Sequence, residues 1–247
     1  MTVTWKAGAA LIAACAALGA CGVVESAESL IESDVNSDEG WTSSWAGEPF
    51  DSITVAGPDD LDFTTGAHAV TASGDPKAIE ALQFKVKDGA LSIRRKPSNW
   101  SLGRSKGEAT VKVSAPALRA LALAGSGAAK VDRMAGDSVK LSIAGSGDAD
   151  IAQIVTKTLK GSIAGSGSIR LAGSADAADI SIAGSGSVLG EGFTSDAVDI
   201  SIAGSGDVTM ASDGAVDASL MGSGDVTIKG SAKCKSKAMG SGSMSCG

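Results

Sequence analysis

The sequence predicts an all-β protein whose chain winds into a single-stranded parallel β-helix, a solenoid with about 18–20 residues in each rung. Three observations support this fold class: a Gly-Ser-Gly tripeptide that recurs seven times, an alternation of apolar and polar residues between the recurrences, and a composition poor in large side chains. The chain of 247 residues contains 33 Gly, no Tyr, and only four Trp and four Phe. Such a composition predicts a thin core filled by Ala, Val, Ile and Leu.

The Gly-Ser-Gly tripeptides define the period of the repeat. Their first glycines are separated by 20, 20, 19, 20, 18 and 18 residues, and they are Gly125, Gly145, Gly165, Gly184, Gly204, Gly222 and Gly240. A fixed period of this length is the signature of a solenoid. The period is too short for a helix-turn-helix repeat or a propeller blade, and the unit lacks the Leu and Asn pattern of leucine-rich repeats.

Within each unit, apolar and polar residues alternate with a period of two. In the unit that precedes Gly204, the side chains of Val198, Ile200 and Ile202 are expected on one side of a strand, and those of Asp199 and Ser201 on the other. Strands one period apart are then expected to pair in parallel, about 4.8 Å apart. Right-handed winding is the expectation for such connections.

The Gly-Ser-Gly unit has three candidate functions: a corner, a phosphate-binding loop and a metal-binding loop. Glycine adopts a positive φ at a sharp corner without steric cost, and Ser or a following Asp can bond to the local backbone. A phosphate-binding loop is followed by a helix, whereas here a strand pattern follows. Calcium-binding β-rolls have a shorter repeat, and an Asp follows the tripeptide only at 148, 207 and 225. The corner is therefore the favoured interpretation, and no metal site is predicted.

The first half of the body is less regular than the second. Alternating segments, each bounded by Gly, Pro or Asp, are expected to form longer, imperfect rungs of the same coil, and they cover residues 51–57, 68–73, 82–86, 90–95, 109–116 and 117–125. Residues 76–81 are compatible with one helical turn.

The N-terminus has the features of a bacterial lipoprotein signal peptide. Lys6 precedes an apolar stretch, residues 7–18, that is too short to span a bilayer. The stretch ends in Leu-Gly-Ala-Cys, which resembles the lipobox that directs lipid attachment to its cysteine. Residues 1–20 are therefore predicted to be the signal peptide and Cys21 the lipid attachment site, with ordinary cleavage and an incidental thiol as the alternative. Gly22 rather than Asp follows the cysteine, which favours the outer membrane of the cell envelope.

An acidic segment separates the predicted anchor from the body. Residues 21–46 are predicted to be a flexible tether, and residues 47–247 the β-helix domain. Between residues 22 and 51 the chain has eight acidic residues and no Lys or Arg, so most of the formal net charge of −7 belongs to this region. Neither the tether nor the nearly neutral body has the basic face that nucleic-acid binding requires.

Two cysteines, Cys234 and Cys246, remain for the solenoid domain. Their spacing from the last Gly-Ser-Gly places both on inward columns of the strands that flank this corner. A disulfide across the last rung would suit an oxidising envelope and would clamp the open end of the solenoid. Two small buried thiols are the alternative.

The sequence contains two candidates for a catalytic site, a histidine and a column of aspartates. His68 is the only histidine, and a lone histidine in a strand is usually packed or solvated. Asp179, Asp199 and Asp217 recur at one outward column, as acids do on the active face of β-helical enzymes that cleave polysaccharides, but a repeated solvated column is the simpler interpretation. No Ser-His-Asp arrangement is predicted. The sequence thus predicts no catalytic residues.

Residues 94–106 interrupt the repeat and are predicted to form a long loop. The segment contains five basic residues and one Trp. Loops that combine an aromatic ring with cations can bind sugars or acidic polymers. The candidate ligand-binding residues are Arg94, Arg95, Lys96, Trp100 and Arg104, and a solvated loop whose Trp packs on the coil is the alternative.

Several motifs, taken in order, resemble the auto-transporter adhesin, head GIN domain family over about residues 47–245. They are FDSITV at 50–55, KDGALSI at 87–93, VKV at 111–113 followed by PAL at 116–118, and the Gly-Ser-Gly units. The resemblance implies a parallel β-helix at the bacterial cell envelope, in a family whose members are often lipoproteins or secreted proteins, and it implies a binding role. It carries no catalytic residues that could be transferred to this chain.

The sequence therefore predicts a non-catalytic, lipid-anchored outer-membrane protein without a cofactor, whose rigid β-helix serves adhesion or ligand binding. The predicted partners are the membrane, through the N-terminal lipid, and a glycan or another envelope protein. A structural spacer or self-assembling scaffold is the second hypothesis, and an enzyme acting on polysaccharides is the third. Neither the ligand nor the oligomeric state follows from the sequence.

Overall fold

The computed structural model describes residues 39–96 and 107–247. Within these ranges, 17 strands form one continuous sheet that winds into a solenoid, and one short helix accompanies them. The predicted fold class, an all-β parallel solenoid, is confirmed. No helix in the described part of the chain is long and apolar enough to span a membrane. The predicted signal peptide, Cys21 and the predicted tether up to residue 38 lie outside the described residues.

Most strands follow one another with short connections, and the connection from β5 to β6 is the longest between the strands. The helix among the described residues, α1, is Pro76–Ala81. The strands in chain order are β1 (Ser52–Gly57), β2 (Asp60–Thr65), β3 (Ala69–Gly74), β4 (Leu82–Lys87), β5 (Ala90–Arg95), β6 (Ala109–Ala115), β7 (Ala120–Gly125), β8 (Ala128–Val131), β9 (Met134–Gly145), β10 (Asp148–Gly165), β11 (Ser168–Gly184), β12 (Ser187–Gly204), β13 (Asp207–Ala211), β14 (Ala215–Gly222), β15 (Val226–Lys229), β16 (Lys233–Gly240) and β17 (Met244–Cys246).

Residues one period apart lie in register in the second half of the domain. β10 pairs in parallel with β11, and β11 with β12. Ile163, Ile182 and Ile202 form one inward column, and each is only 2% exposed. Asp179 and Asp199 share an outward column, as predicted. The core is thus a stack of aliphatic columns between closely spaced sheet faces.

Each Gly-Ser-Gly unit forms a corner between two strands. Gly204 has a φ of +133°, and a Cβ added there would overlap the backbone of Gly184, its counterpart in the preceding rung. The amide of Ser205 donates a hydrogen bond to the carbonyl oxygen of the same Gly184 (2.8 Å). Glycine is therefore required by the backbone conformation and by the close approach of the stacked corners. This arrangement confirms the architectural interpretation of the repeat.

Side chains that follow the corners connect neighbouring rungs. Asp225 Oδ1 accepts hydrogen bonds from the hydroxyl (2.7 Å) and the amide (2.9 Å) of Ser243, and Asp148 accepts the same two bonds from Ser168. The hydroxyl and the amide of Ser243 hold the pKa of Asp225 below its ordinary value, because they stabilise the carboxylate. Among the described residues, no three metal-ligating side chains are grouped together. The corner aspartates hence serve to join rungs.

The prediction that every alternating segment of the first half forms a rung of the same coil is only partly confirmed, because β3 and β4 pair antiparallel and the other strands do not stack in chain order. β1 pairs in parallel with both β5 and β7, and β2 pairs in parallel with both β6 and β8. β1 and β2 together form one rung. This rung lies between the rung formed by β5 and β6 and the rung formed by β7 and β8. An alternating pattern specifies which side chains face the core, but it does not specify which strand lies next to which.

Two strands of the first half run antiparallel and close the N-terminal end of the coil. β3 pairs with β6, and β4 pairs with β5. α1 connects β3 to β4, and Asp75 caps its N-terminus by accepting hydrogen bonds from the amides of Lys77 and Ala78. This helix occupies the residues for which a helical turn was predicted. Together with residues 39–48, which lie against β4, these elements make up the N-terminal cap.

The last rung, at the opposite end, is formed by β16 and β17. A disulfide joins Cys234 to Cys246 across this rung, with the two Cα atoms 6.5 Å apart. Cys234 lies in register with Val216, and Cys246 with Ile228, so both cysteines continue buried columns. The disulfide thereby links the two sides of the terminal rung.

Loss of the disulfide is expected to loosen this rung. Changing both Cys234 and Cys246 to Ala should lower the local stability of β16 and β17 by up to about 3 kcal/mol, because the bond closes a loop of about a dozen residues. Hydrogen exchange of the β16 amides, compared with those of β10, measures the effect. Ser236→Ala, an exposed change on the same strand, is the control. Unchanged protection of β16 in the double variant would contradict the expectation.

Candidate functional site

The structure places only part of the predicted ligand-binding segment. Arg94 and Arg95 are the last residues of β5, as the alternating segment 90–95 predicts, so the part of the loop prediction that covers these two residues is wrong. The pairing of β5 with β1 extends to Arg94, and its pairing with β4 extends to both arginines. Lys96 follows, and its amide donates to the carbonyl oxygen of Ala81 (2.7 Å). Trp100 and Arg104 lie outside the described residues.

Arg95 forms a buried ion pair. Its Nε donates to Asp59 Oδ2 (2.7 Å) and its Nη2 to Asp59 Oδ1 (2.6 Å), and the side chains are 14% and 2% exposed. Hydrogen bonding to Asp59 raises the pKa of Arg95, although burial acts in the opposite direction. The same Nη2 donates to the carbonyl oxygen of Gly107 (2.7 Å), and the amide of Ala109 donates to Asp59 (3.1 Å). Arg95 thus links the end of β5 to Asp59 and Gly107 and is not available for a ligand.

Arg94 belongs to a cation–aromatic cluster on the cap. Its guanidinium carbon lies 4.1 Å from the ring centroid of Trp41, and the Nζ of Lys85 lies 5.9 Å from the same centroid. The Nε of Arg94 donates to Gln83 Oε1 (3.3 Å), and Arg94 is 6% exposed. Two cations on β4 and β5 are therefore held against one indole ring.

A small cavity adjoins this cluster. Its volume is about 280 Å³, and Trp45, Glu48, Lys85 and Lys87 are among the residues that line it. The indole Nε1 of Trp45 donates to the carbonyl oxygen of Glu48 (3.0 Å), and the ring packs edge-on against Phe50 with centroids 6.1 Å apart. The cavity is close to the lower size limit of ligand pockets, so it suits a small unit of a larger molecule. We call Trp41, Trp45, Lys85, Lys87 and Arg94 the cap site.

Comparison with known families identifies the chain. The family described as "Putative auto-transporter adhesin, head GIN domain" matches residues 49–232. The chain belongs to this family. Its head GIN domain therefore covers the solenoid from β1 to β15, whereas residues 41–48 of the cap site precede the matched range.

Solved structures share the fold of this head GIN domain. A "putative adhesin" from Bacteroides fragilis is 21% identical, with a TM-score of 0.73 over 83% of this chain and 94% of that chain. A "putative adhesin" from Parabacteroides merdae is 20% identical, with a TM-score of 0.64 over 81% and 92%. A "Putative lipid binding protein" from Parabacteroides distasonis is 23% identical, with a TM-score of 0.61 over 80% and 92%. No curated protein matches the chain.

The residues considered as catalytic candidates, His68 and three aspartates, lie within the head GIN domain. His68 Nε2 lies 3.0 Å from the carbonyl oxygen and 3.2 Å from the amide nitrogen of Phe50, and the two rings are 5.0 Å apart. Asp179, Asp199 and Asp217 stack in one outward column on successive strands. The structure brings none of these residues to the cap site.

Sequence reasoning missed the aromatic part of the cap site in this head GIN domain. Trp41 and Trp45 fall in the segment predicted to be a tether, yet Thr42 between them pairs with Phe84 of β4 through two backbone hydrogen bonds (2.8 and 2.9 Å). Two of the four Trp of the chain in one short acidic segment were the available signal, because a solvated tether has no need of large aromatic side chains.

Proposed function

We propose that the protein is a non-catalytic adhesion module of the bacterial cell envelope that binds an acidic glycan at the cap site. In this proposal a lipid on Cys21 anchors the chain to the outer membrane. The observation that carries the binding function is the placement of Arg94 and Lys85 on the ring of Trp41, next to a cavity lined by Trp45.

The chemistry of the cap site suits a sugar acid. An indole ring packs on the apolar face of a sugar, and the ammonium groups of Lys85 and Lys87, which line the cavity, are proposed to pair with a carboxylate or sulfate. The buried guanidinium of Arg94 is proposed to hold the ring of Trp41 in position. Gln83 holds Arg94 in place, and the stacked rungs make the supporting sheet rigid, so little side-chain entropy remains to be lost on binding. Trp100 and Arg104, which follow Lys96 in the sequence, are proposed to contribute to the same site.

Two kinds of observation support adhesion over catalysis. The family description and the names of two structurally similar proteins refer to adhesins. Within the described residues, His68 is engaged with the backbone of Phe50, and the three stacked aspartates stand apart from the cap site. A site built from fixed cations and indole rings binds a ligand without needing a nucleophile or a general base.

Binding to a polyuronate probe tests the proposed site. Trp41→Ala and Arg94→Gln are each expected to weaken binding at least about tenfold, because each removes one partner of the cation–aromatic cluster. Arg170→Gln is the matched control, since Arg170 is 61% exposed on β11, far from the cap. Equal affinity of all three variants and the unchanged protein, with intact folding by circular dichroism, would refute the glycan site.

Metabolic labelling with a radioactive fatty acid tests the proposed anchor. The chain is expected to incorporate label and to fractionate with the outer membrane, whereas Cys21→Ser should lose the label. Cys234→Ser is the control, because its sulfur lies in the last rung. Label retained in Cys21→Ser, or absent from the unchanged protein, would contradict lipid attachment at this residue.

A further inference from the structure

The C-terminal end of the solenoid presents an open strand edge. The strand partner of β16 among the described residues is β14, on one side only. Ser236 and Ala238 continue the inward columns of Ala218 and Leu220, which are buried. Both residues of β16 are nevertheless exposed, because no strand within residues 39–96 and 107–247 lies over them. The N-terminal end, in contrast, is covered by the cap.

Three lysines define the outward side of this edge. Lys233, Lys235 and Lys237 alternate with the inward residues, lie about 7 Å apart along the strand, and are all exposed. The preceding rung places one acid, Asp217, beside the middle lysine. Such a row prevents two β16 edges from pairing with each other, since lysines would then face lysines. It favours instead a strand with acids on its outward side.

The chain contains a matching segment outside the described residues. Residues 31–38 read Ile-Glu-Ser-Asp-Val-Asn-Ser-Asp, with three acids and Asn36 at alternate positions and small or aliphatic residues between them. A parallel pairing that sets Glu32 beside Lys233 also sets Asp34 beside Lys235 and Val35 beside Ser236. Two of the three outward pairs then have opposite charge, the third sets Asn36 beside Lys237, and the inward positions continue the core columns.

The matching segment has to come from a second molecule. Asp38 is bonded to Glu39, and Thr42 pairs with β4 at the cap. Nine strand-to-strand steps separate β4 from β16, which is about 43 Å at 4.8 Å per step. From Thr42 back to Ile31 the chain spans eleven residues, which reach at most about 40 Å when fully extended. Residues 31–38 therefore do not reach the β16 edge of their own chain.

We propose that residues 31–38 of one molecule bind as an added strand along β16 of a second copy, so that the solenoids associate head to tail. Backbone hydrogen bonds supply affinity in this mode, and the lysine row supplies direction and register. The contact joins different surfaces of the two molecules, so it produces open chains of varying length. The inference goes beyond glycan binding, because it uses the end of the solenoid opposite to the cap site.

Charge reversal tests the proposal. The experiment uses the full chain in detergent, because detergent keeps residues 1–21 from driving association. The unchanged protein should form oligomers that grow with concentration in analytical ultracentrifugation. One variant carries Lys233→Glu, Lys235→Glu and Lys237→Glu, and a second carries Glu32→Lys and Asp34→Lys. Each alone is expected to associate about 100-fold more weakly, because like charges then face each other. An equal mixture of the two should assemble again, since each then meets a partner of opposite charge.

Matched controls separate this contact from a general effect of charge. Lys112→Glu with Lys140→Glu and Lys160→Glu makes the same change on outward residues away from β16, and Glu25→Lys with Glu28→Lys makes it before the matching segment. Both control variants should assemble like the unchanged protein. A monomer at every concentration of the unchanged protein, assembly that persists in either reversed variant, or a mixture that fails to assemble would each overturn the proposal. Polyuronate binding by the reversed variants shows that the cap and its site remain intact.

Discussion

Gly204→Ala is expected to lower the free energy of unfolding by about 3 kcal/mol or more. Gly204 has a φ of +133°, which an L side chain rarely adopts, and the added methyl group would overlap the backbone of Gly184. The neighbouring rungs cannot move apart without breaking the bond from Ser205 to Gly184. Urea unfolding followed by circular dichroism measures the change.

The same substitution elsewhere provides the control. Gly66 has no positive φ, and a Cβ there would meet only Ser114 Cβ, at an ordinary distance of 3.7 Å. Gly66→Ala should leave stability unchanged or raise it by about 0.4–1 kcal/mol, because it restricts the unfolded chain. If the two alanine variants unfolded at the same urea concentration, the proposed role of the corner glycines would be wrong.

Asp59→Asn is expected to destabilise the protein by about 3–5 kcal/mol, because it leaves the guanidinium of Arg95 buried without its counter-ion. Asp59 is 2% exposed and also accepts the amide of Ala109. The loss should affect the N-terminal cap first, since Arg95 ties β5 to Gly107 at the start of the next segment. Thermal unfolding and hydrogen exchange of β5 and β6 report the change.

An exposed pair of similar composition is the comparison. Asp150 and Arg170 lie 3.8 Å apart and are 52% and 61% exposed, so Asp150→Asn should cost less than about 1 kcal/mol. Adding Arg95→Gln to Asp59→Asn should cost little more than Asp59→Asn alone, because the unpaired charge is then removed. Equal losses of stability in Asp59→Asn and Asp150→Asn would show that burial does not determine how much the Asp59–Arg95 ion pair contributes.

The regular part of the fold follows from the sequence to the level of single side chains. The period places Ile163, Ile182 and Ile202 in one column, and alternation assigns the faces of Asp179 and Asp199. The period and the alternation can both be read from short stretches of sequence. Because the same pattern returns in every rung, it specifies the register between neighbouring rungs. The glycine corners follow as well, because one residue type satisfies both the backbone conformation and the close contact.

The cap and the cap site depend on information that the pattern does not contain. β3 and β4 alternate like the other strands, and alternation is the same for parallel and antiparallel pairing. Arg94 and Arg95 suggest a solvated loop by composition, yet Trp41 and Asp59 provide partners that allow both to end a buried strand. These partners are distant in sequence, so only the folded arrangement brings them together.

The position of β1 and β2 between β5–β6 and β7–β8 has a consequence for the order of folding. During synthesis from the N-terminus, the rung formed by β1 and β2 cannot be completed until residues as far as β8 are available. Both neighbours of this rung come later in the chain. Early contacts must therefore close loops of dozens of residues before local winding can begin, which makes nucleation the slow step. Once this nucleus exists, every later turn adds next to its immediate predecessor, so the remainder should form rapidly by propagation.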